Sequence, residues 1–177
     1  MAKTKGESSF WSHPDAVHYY DTHRQTAEEL YPSERTFIND ALFALGSHLD
    51  VGCAAGGLAA VAQAANPTIR FAGIDISPAM IEAAQERYPN SKFAVTDGKT
   101  IPFPDEHFSS VSCLGVLHLT SSWQELLCEM WRVSSDVIVF DLRLIANTEA
   151  LEKLEAYQTL SYTGTEDDSR IPYFTHT

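Results

Sequence analysis

The sequence is poor in positive charge: 12 Lys and Arg stand against 24 Asp and Glu, a formal net charge of −12 at pH 7. Binding nucleic acid without regard to sequence needs a basic footprint that neutralises phosphates, and this composition supplies none. The same deficit disfavours anionic membrane surfaces. Cysteine is scarce, and Cys53, Cys113 and Cys128 show no paired spacing. An odd count without a secretory leader points to free thiols in a reducing, cytoplasmic setting. The histidines form no H-x-x-x-H pattern with a third ligand, so no metal site is expected. No apolar run approaches the roughly 20 residues of a membrane-spanning helix. The length suits one domain with a substantial core.

What is present is a strand–turn–helix signature. Leu49-Asp50-Val51-Gly52-Cys53-Ala54-Ala55-Gly56-Gly57-Leu58 reads as a buried strand, a glycine-rich turn and the start of a helix. Phe71-Ala72-Gly73-Ile74-Asp75-Ile76-Ser77 reads as a second strand ending in a carboxylate. Such a unit builds a nucleotide-type pocket at the carboxyl edge of a parallel sheet. The dinucleotide fingerprint G-x-G-x-x-G fails, because Ala54 stands where its middle glycine would be. Asp50 would repel phosphate and suits a ligand carrying positive charge. Both features weigh against a nicotinamide-dependent oxidoreductase.

The chain divides into a flexible start (1–9), a helical cap segment (10–46), a core (47–145) and a tail with one helix (146–177). In the cap segment, helices are expected over Ala16–Leu30 and from a Ser33 cap to Leu45. The core alternates strands His48–Val51, Ile69–Ile74, Lys92–Val95, Phe108–Leu114 and Ser135–Leu142 with helices Gly57–Ala65, Ala79–Tyr88 and Trp123–Arg132. This pattern predicts an α/β fold, a doubly wound, Rossmann-like parallel sheet flanked by helices. After Leu144 a helix from Glu149 to about Leu160 is expected and no hairpin of strands. The sheet would then be C-terminally shortened, with an exposed edge open to self-association into a homo-oligomer.

Several residues stand where a ligand would lie. Gly52 lets the backbone pass close to a ligand, and Gly57 opens a helix whose free N–H groups attract an anion. Asp75 can accept from both hydroxyls of a ribose or serve as a helix N-terminal acid. Asp97 can accept from an adenine amino group while the Gly98 N–H donates to a ring nitrogen; the pair is also an ordinary Asp-Gly turn. Cys53 is either a redox thiol or a small residue suited to a tight turn. Three acids, each near the carboxyl end of a successive strand, would converge on one crevice.

Together with Asp97-Gly98-Lys99-Thr100-Ile101-Pro102-Phe103, Phe108-Ser109-Ser110-Val111, Gly115-Val116-Leu117-His118 and Glu129-Met130-Trp131-Arg132-Val133, these segments resemble a class I S-adenosylmethionine-dependent methyltransferase (methyltransferase type 11-like) from about Asp50 to Leu144. The resemblance implies S-adenosylmethionine as cofactor and a small-molecule acceptor. Gly52, Ala54 and Gly57 would border its methionine portion, with Asp50 favouring the ammonium group. Asp75 would hold the ribose, Ile76 would pack on adenine, and Asp97 and Gly98 would read the adenine edge. Leu114 and Gly115 would line the methionine side. Tyr20 would close over the cofactor or else face the core. His118 is either a general base or a wall of the pocket. Ala54 fits its turn without strain only if its φ is negative. Members of this fold usually add a sixth strand and an antiparallel seventh, which are not legible here. A non-catalytic binding or assembly module on the same fold is therefore the alternative.

Overall fold

The computed structural model describes residues 10–142 and the backbone of 157–159 and 170–172. Strand β1 (Ser47–Val51) is buried along its whole length, as expected of a central strand covered on both faces. It pairs in parallel with β2 (Arg70–Asp75) on one side and β4 (Phe108–Cys113) on the other. Strands β3 (Lys92–Val95) and β5 (Ser134–Phe140) complete a five-stranded sheet of order β3-β2-β1-β4-β5. Every neighbouring pair in it is parallel. The strand order reverses between β1 and β4, and ligand crevices form at such switch points.

Helices cover both faces. On one side lie α3 (Asp40–Phe43), α4 (Gly57–Ala65) and α5 (Pro78–Arg87), whose Leu42, Phe43, Leu58, Ala59, Ile81 and Ala84 pack with Phe71 and Phe93. On the other lies α6 (Trp123–Val133), which presents Leu126, Met130 and Val133 at helical spacing to Leu49, Val51, Ile74 and Val111. Fully burying side chains of this size stabilises the fold by about 1.5–3 kcal/mol each. Gly73 in β2 is fixed by packing: a Cβ there would lie 2.7 Å from the Cys53 Sγ.

The cap segment is more broken than its apolar spacing predicts. Helix α1 covers Pro14–Thr22 and ends at His23, where the chain turns. A 3₁₀ turn at Ala27–Glu29 and a short α2 (Pro32–Arg35) follow. The expected helix from Ser33 to Leu45 is interrupted because the Asn39 side chain accepts from the N–H groups of Ala41 and Leu42 and so starts α3 afresh. Ser77 ties this segment to the core. Its Oγ donates to the Trp11 carbonyl and also accepts the Met80 N–H to cap α5.

The tail differs from expectation. Tyr157–Thr159 (β6) and Arg170–Pro172 (β7) pair antiparallel, so a hairpin-type ladder exists where none is legible in the sequence. The end of the expected helix, at 157–159, is strand. Its earlier part lies outside the described residues. Among the described residues no helix is long and apolar enough to cross a membrane, and no group of three or more His, Cys, Asp or Glu is placed to hold a metal ion.

Candidate functional site

At the carboxyl ends of the strands a cavity of about 350 Å³ opens between the sheet and the cap segment. Val51, Ile74, Ile76, Met80, Leu119 and Leu126 make its walls largely apolar. Gly52, Ala54, Asp75, Ile76, Asp97, Gly98, Gly115 and Tyr20, each expected at a ligand, all line it. A smaller hollow of about 50 Å³ adjoins it and shares Tyr20, Gly52 and Ala54; Asp50, Gly57 and Leu114 line this second space with His23 and Arg24. The three acids therefore gather round two adjoining cavities that share Tyr20, Gly52 and Ala54.

The turn after β1 is held by its acid partners. Asp75 Oδ2 accepts the Ala54 N–H at 3.0 Å and Oδ1 accepts the Ser77 N–H at 2.9 Å. The Ile76 N–H also acts on this carboxylate, and with about four acceptor sites in all it keeps capacity for a further donor. Burial pushes Asp75 above the usual carboxylate range, opposed by these backbone N–H donors. Gly52 adopts φ +76°, and a Cβ there would come within 2.2 Å of Val116 Cγ2. Ala54 adopts φ +47°. The unstrained condition set for position 54 is therefore not met, and the alanine sits in left-handed backbone at a cost of about 1–2 kcal/mol.

Asp50 is buried and accepts from Ser112 Oγ at 2.8 Å. Burial pushes its carboxyl up to about 6, with the Ser112 hydroxyl and the Arg24 charge acting in the opposite direction. Arg24 is itself held by two bonds of 3.0 Å to Glu34 and lies over the Tyr31 ring. The Gly57 position is tight for a reason the sequence does not show: a Cβ there would lie 2.6 Å from the Arg24 carbonyl oxygen.

At the other end, Asp97 Oδ1 accepts the N–H groups of Lys99 and Thr100, which hold its carboxyl below the usual range. Oδ2 has no such intramolecular donor among these bonds. The Gly98 N–H donates to Thr96 Oγ1 at 3.2 Å, so the expected free donor for a ring nitrogen is already engaged. Gly115 is fixed by its N–H donating to Asp141 Oδ1 at 2.6 Å. The loop beyond Asp97 is clamped from α6. Arg132 donates to the carbonyls of Ile101 and Phe103 and to Glu129, while Glu129 Oε2 accepts the Ile101 N–H. The Glu129 and Arg132 of the α6 motif thus clamp the loop that continues from the Asp97–Lys99 side of the cavity.

The His118 expectation shifts, while the open choice at Cys53 narrows to one. His118, in the 3₁₀ turn Leu117–Leu119, is 3% exposed and lines neither cavity, which removes the opening a general base needs. Cys53 is buried and its thiol is pushed well above its ordinary range by desolvation and by Asp75 and Asp50, so it remains protonated and packs as a small apolar group. Trp11, Lys99, Thr120, Ser121 and Ser122 line the main cavity without having been singled out. Trp11 meets Tyr20 edge-on at 6.3 Å between ring centroids, and only folding of the cap segment brings it there.

The sequence matches the methyltransferase domain family over residues 49–136, the segment that carries these turns and acids. Residues 49–136 belong to the methyltransferase domain family. The methyltransferase domain is 35% identical over 88 residues to a demethylmenaquinone methyltransferase of Tropheryma whipplei, covering 48% of this chain and 36% of that protein. It is 40% identical over 52 residues to a trans-aconitate 2-methyltransferase of Methylobacterium radiotolerans, covering 29% of this chain and 20% of that protein. The chain thus spans well under half the length of these curated relatives. The fold is similar to that of a SAM-dependent methyltransferase from Aquifex aeolicus, with TM-score 0.61 and 21% identity over 74% of this chain and 73% of that one. The sheet and its flanking helices are the class I methyltransferase fold.

Proposed function

We propose that the chain binds S-adenosylmethionine in the two adjoining cavities and transfers its methyl group to a small-molecule acceptor. The observation that carries this reading is the placement of Asp75 and Asp97 on the main, largely apolar cavity and of Asp50 on the small hollow beside it, in a domain whose family is methyltransferase. The donor set fits the cofactor. Asp75 retains acceptor capacity beside its backbone donors for a ribose hydroxyl. Ile76 and Met80 offer an apolar bed for adenine, and Asp97 Oδ2 accepts from its amino group. Asp50 and Arg24 provide an acid for the ammonium group and a cation for the carboxylate of the amino-acid tail. The curated relatives are named for a quinone precursor and a tricarboxylic acid, both small molecules, which supports an acceptor of that size.

When bound, the sulfonium supplies an activated methyl group that leaves by in-line displacement. The chain's residues then have to align and dry the site rather than perform difficult chemistry. Trp11 and Tyr20 cover the cavity from the cap segment. Gly52 and Gly115 bring backbone close to where the tail would lie. His118 has no part in proton transfer here; an acceptor that reacts as a free nucleophile needs no base.

Trp11 provides the probe. Titrating S-adenosylhomocysteine should quench its fluorescence with saturable, micromolar binding, and Asp75→Ala should weaken that binding at least tenfold. Absence of binding by both fluorescence and calorimetry would overturn the reading. Binding without methyl transfer across quinol, phenol and carboxylic-acid acceptors would favour the non-catalytic module.

A further inference from the structure

The buried face of β1 carries a row of polar groups inside the sheet. His48, Ser110 and Ser112 are fully buried, and Ser47 and Asp50 nearly so. The parallel register sets His48 opposite Ser110 and Asp50 opposite Ser112. Ser112 Oγ lies 2.8 Å from Asp50 Oδ1 and 2.9 Å from His48 Nε2. Ser110 Oγ lies 2.7 Å from His48 Nδ1 and 3.2 Å from the Ser47 carbonyl oxygen. Phe43 and Phe71 wall the imidazole at 5.2 and 5.6 Å between ring centroids.

The row can be completed in two ways. With Asp50 ionised, Ser112 donates to the carboxylate, His48 Nε2–H donates to Ser112, and Ser110 donates to the bare Nδ1. With Asp50 protonated, every direction reverses. The carboxyl donates to Ser112, Ser112 donates to a bare Nε2, Nδ1–H donates to Ser110, and Ser110 donates to the Ser47 carbonyl. Neither arrangement strands a hydroxyl or a ring nitrogen, which is the condition for keeping such a row in a core. The two differ by one proton, exchanged with solvent. The serine hydrogens turn, and the ring hydrogen moves between Nδ1 and Nε2.

We propose that His48 and Ser112 are positioning residues for Asp50, and that His48 changes tautomer so that Ser112 holds the carboxyl in one place whether or not it carries a proton. The assignment of Asp50 to a cationic ligand rests on the proposed function. Burial places the Asp50 carboxyl near 6 and pulls His48 down to about 3, so the carboxyl titrates while the imidazole stays neutral. Arg24 favours the carboxylate, and Glu34 and Asp75 oppose it. The Cys53 and Cys113 thiols beside it stay protonated. His23 shares the small cavity. An ammonium group arriving at this cavity draws Asp50 to its ionised form, releases the proton and sets His48 to the Nε2–H tautomer.

The test is a nitrogen-15 NMR titration of the histidines in the ligand-free full chain from about pH 4 to about pH 8, with the Asp50 carboxyl followed by carbon-13. His48 should pass from Nδ1–H at the acid end to Nε2–H at the alkaline end, in one step coincident with Asp50 and without becoming a cation. Ser112→Ala should uncouple the two titrations, and Ser112→Thr should restore the coupling. Should Ser112→Ala fail to fold, the wild-type titration decides alone. At about pH 5, saturating S-adenosylhomocysteine should shift His48 to Nε2–H. A single tautomer at all pH values, or a change that does not follow Asp50, overturns the proposal. Tautomer exchange in the free chain with no binding of S-adenosylhomocysteine would sink the proposed function and leave the relay standing. Binding that leaves His48 unmoved would do the reverse.

Discussion

The carboxylate of Asp75 accepts the backbone N–H of Ala54 across 21 residues of sequence, joining the end of β2 to the turn that follows β1. The same side chain also accepts the Ser77 N–H, so it fixes two loops at once. Asp75→Asn replaces one acceptor oxygen with an NH₂ facing a backbone N–H. Stability should fall by about 1–3 kcal/mol, read by urea unfolding, and S-adenosylhomocysteine affinity should fall with it. Unchanged affinity in a destabilised variant would confine Asp75 to the turn.

Ala54 sits at φ +47°, where a Cβ is strained. Ala54→Gly should raise stability by up to about 1 kcal/mol, the relief being partly offset by the freer unfolded chain. Ala54→Val should lower it by more. Denaturant midpoints of the two variants moving in the same direction would contradict the left-handed assignment.

Gly52 and Val116 are in steric conflict as soon as position 52 gains a side chain. Gly52→Ala should destabilise by about 2–4 kcal/mol, combining overpacking with left-handed strain. Adding Val116→Ala should recover the packing part and leave the strain, giving a favourable coupling of about 1–2 kcal/mol in a double-mutant cycle.

The Asp50 carboxyl supplies the pH dependence. Its folded value near 6 lies above the ordinary 3.8, so the folded state binds the proton more tightly than the unfolded chain. The stability it contributes is full below about pH 4 and is lost as pH rises through about 6. Affinity for a cationic ligand runs the other way and should weaken up to tenfold per unit below about pH 6. Asp50→Asn should flatten both profiles.

His118 is buried away from both cavities. His118→Ala should lower stability by about 2 kcal/mol while leaving S-adenosylhomocysteine affinity and turnover per folded molecule unchanged. A pH–rate profile that loses a limb near neutrality in this variant would return His118 to the chemistry.

The order of strands and helices from His48 to Phe140 follows from local features: apolar runs, glycine turns and Ser77 before a proline. The positions of Asp50, Asp75 and Asp97 are legible for the same reason, since each stands at or just past the carboxyl end of a strand and parallel strands end on one edge. The rest depends on tertiary packing that spacing does not encode. The break at Asn39 arises because its side chain competes for helix N–H groups. Gly73 answers to Cys53 and Gly57 to the Arg24 backbone, contacts visible only after folding. His118 lies in the right loop but turns inward. The His48–Ser112 row needs the register of β1 against β4; its one trace in the sequence is His and Asp two apart on one strand and Ser two apart on the other.

A crystal structure grown with S-adenosylhomocysteine tests the central claim most directly. The ribose hydroxyls should lie within hydrogen-bond distance of Asp75, the adenine against Ile76 with its amino group at Asp97, and the amino-acid tail in the small cavity between Asp50 and Arg24. Ligand density outside these cavities, or within them with the ribose remote from Asp75, would contradict the account.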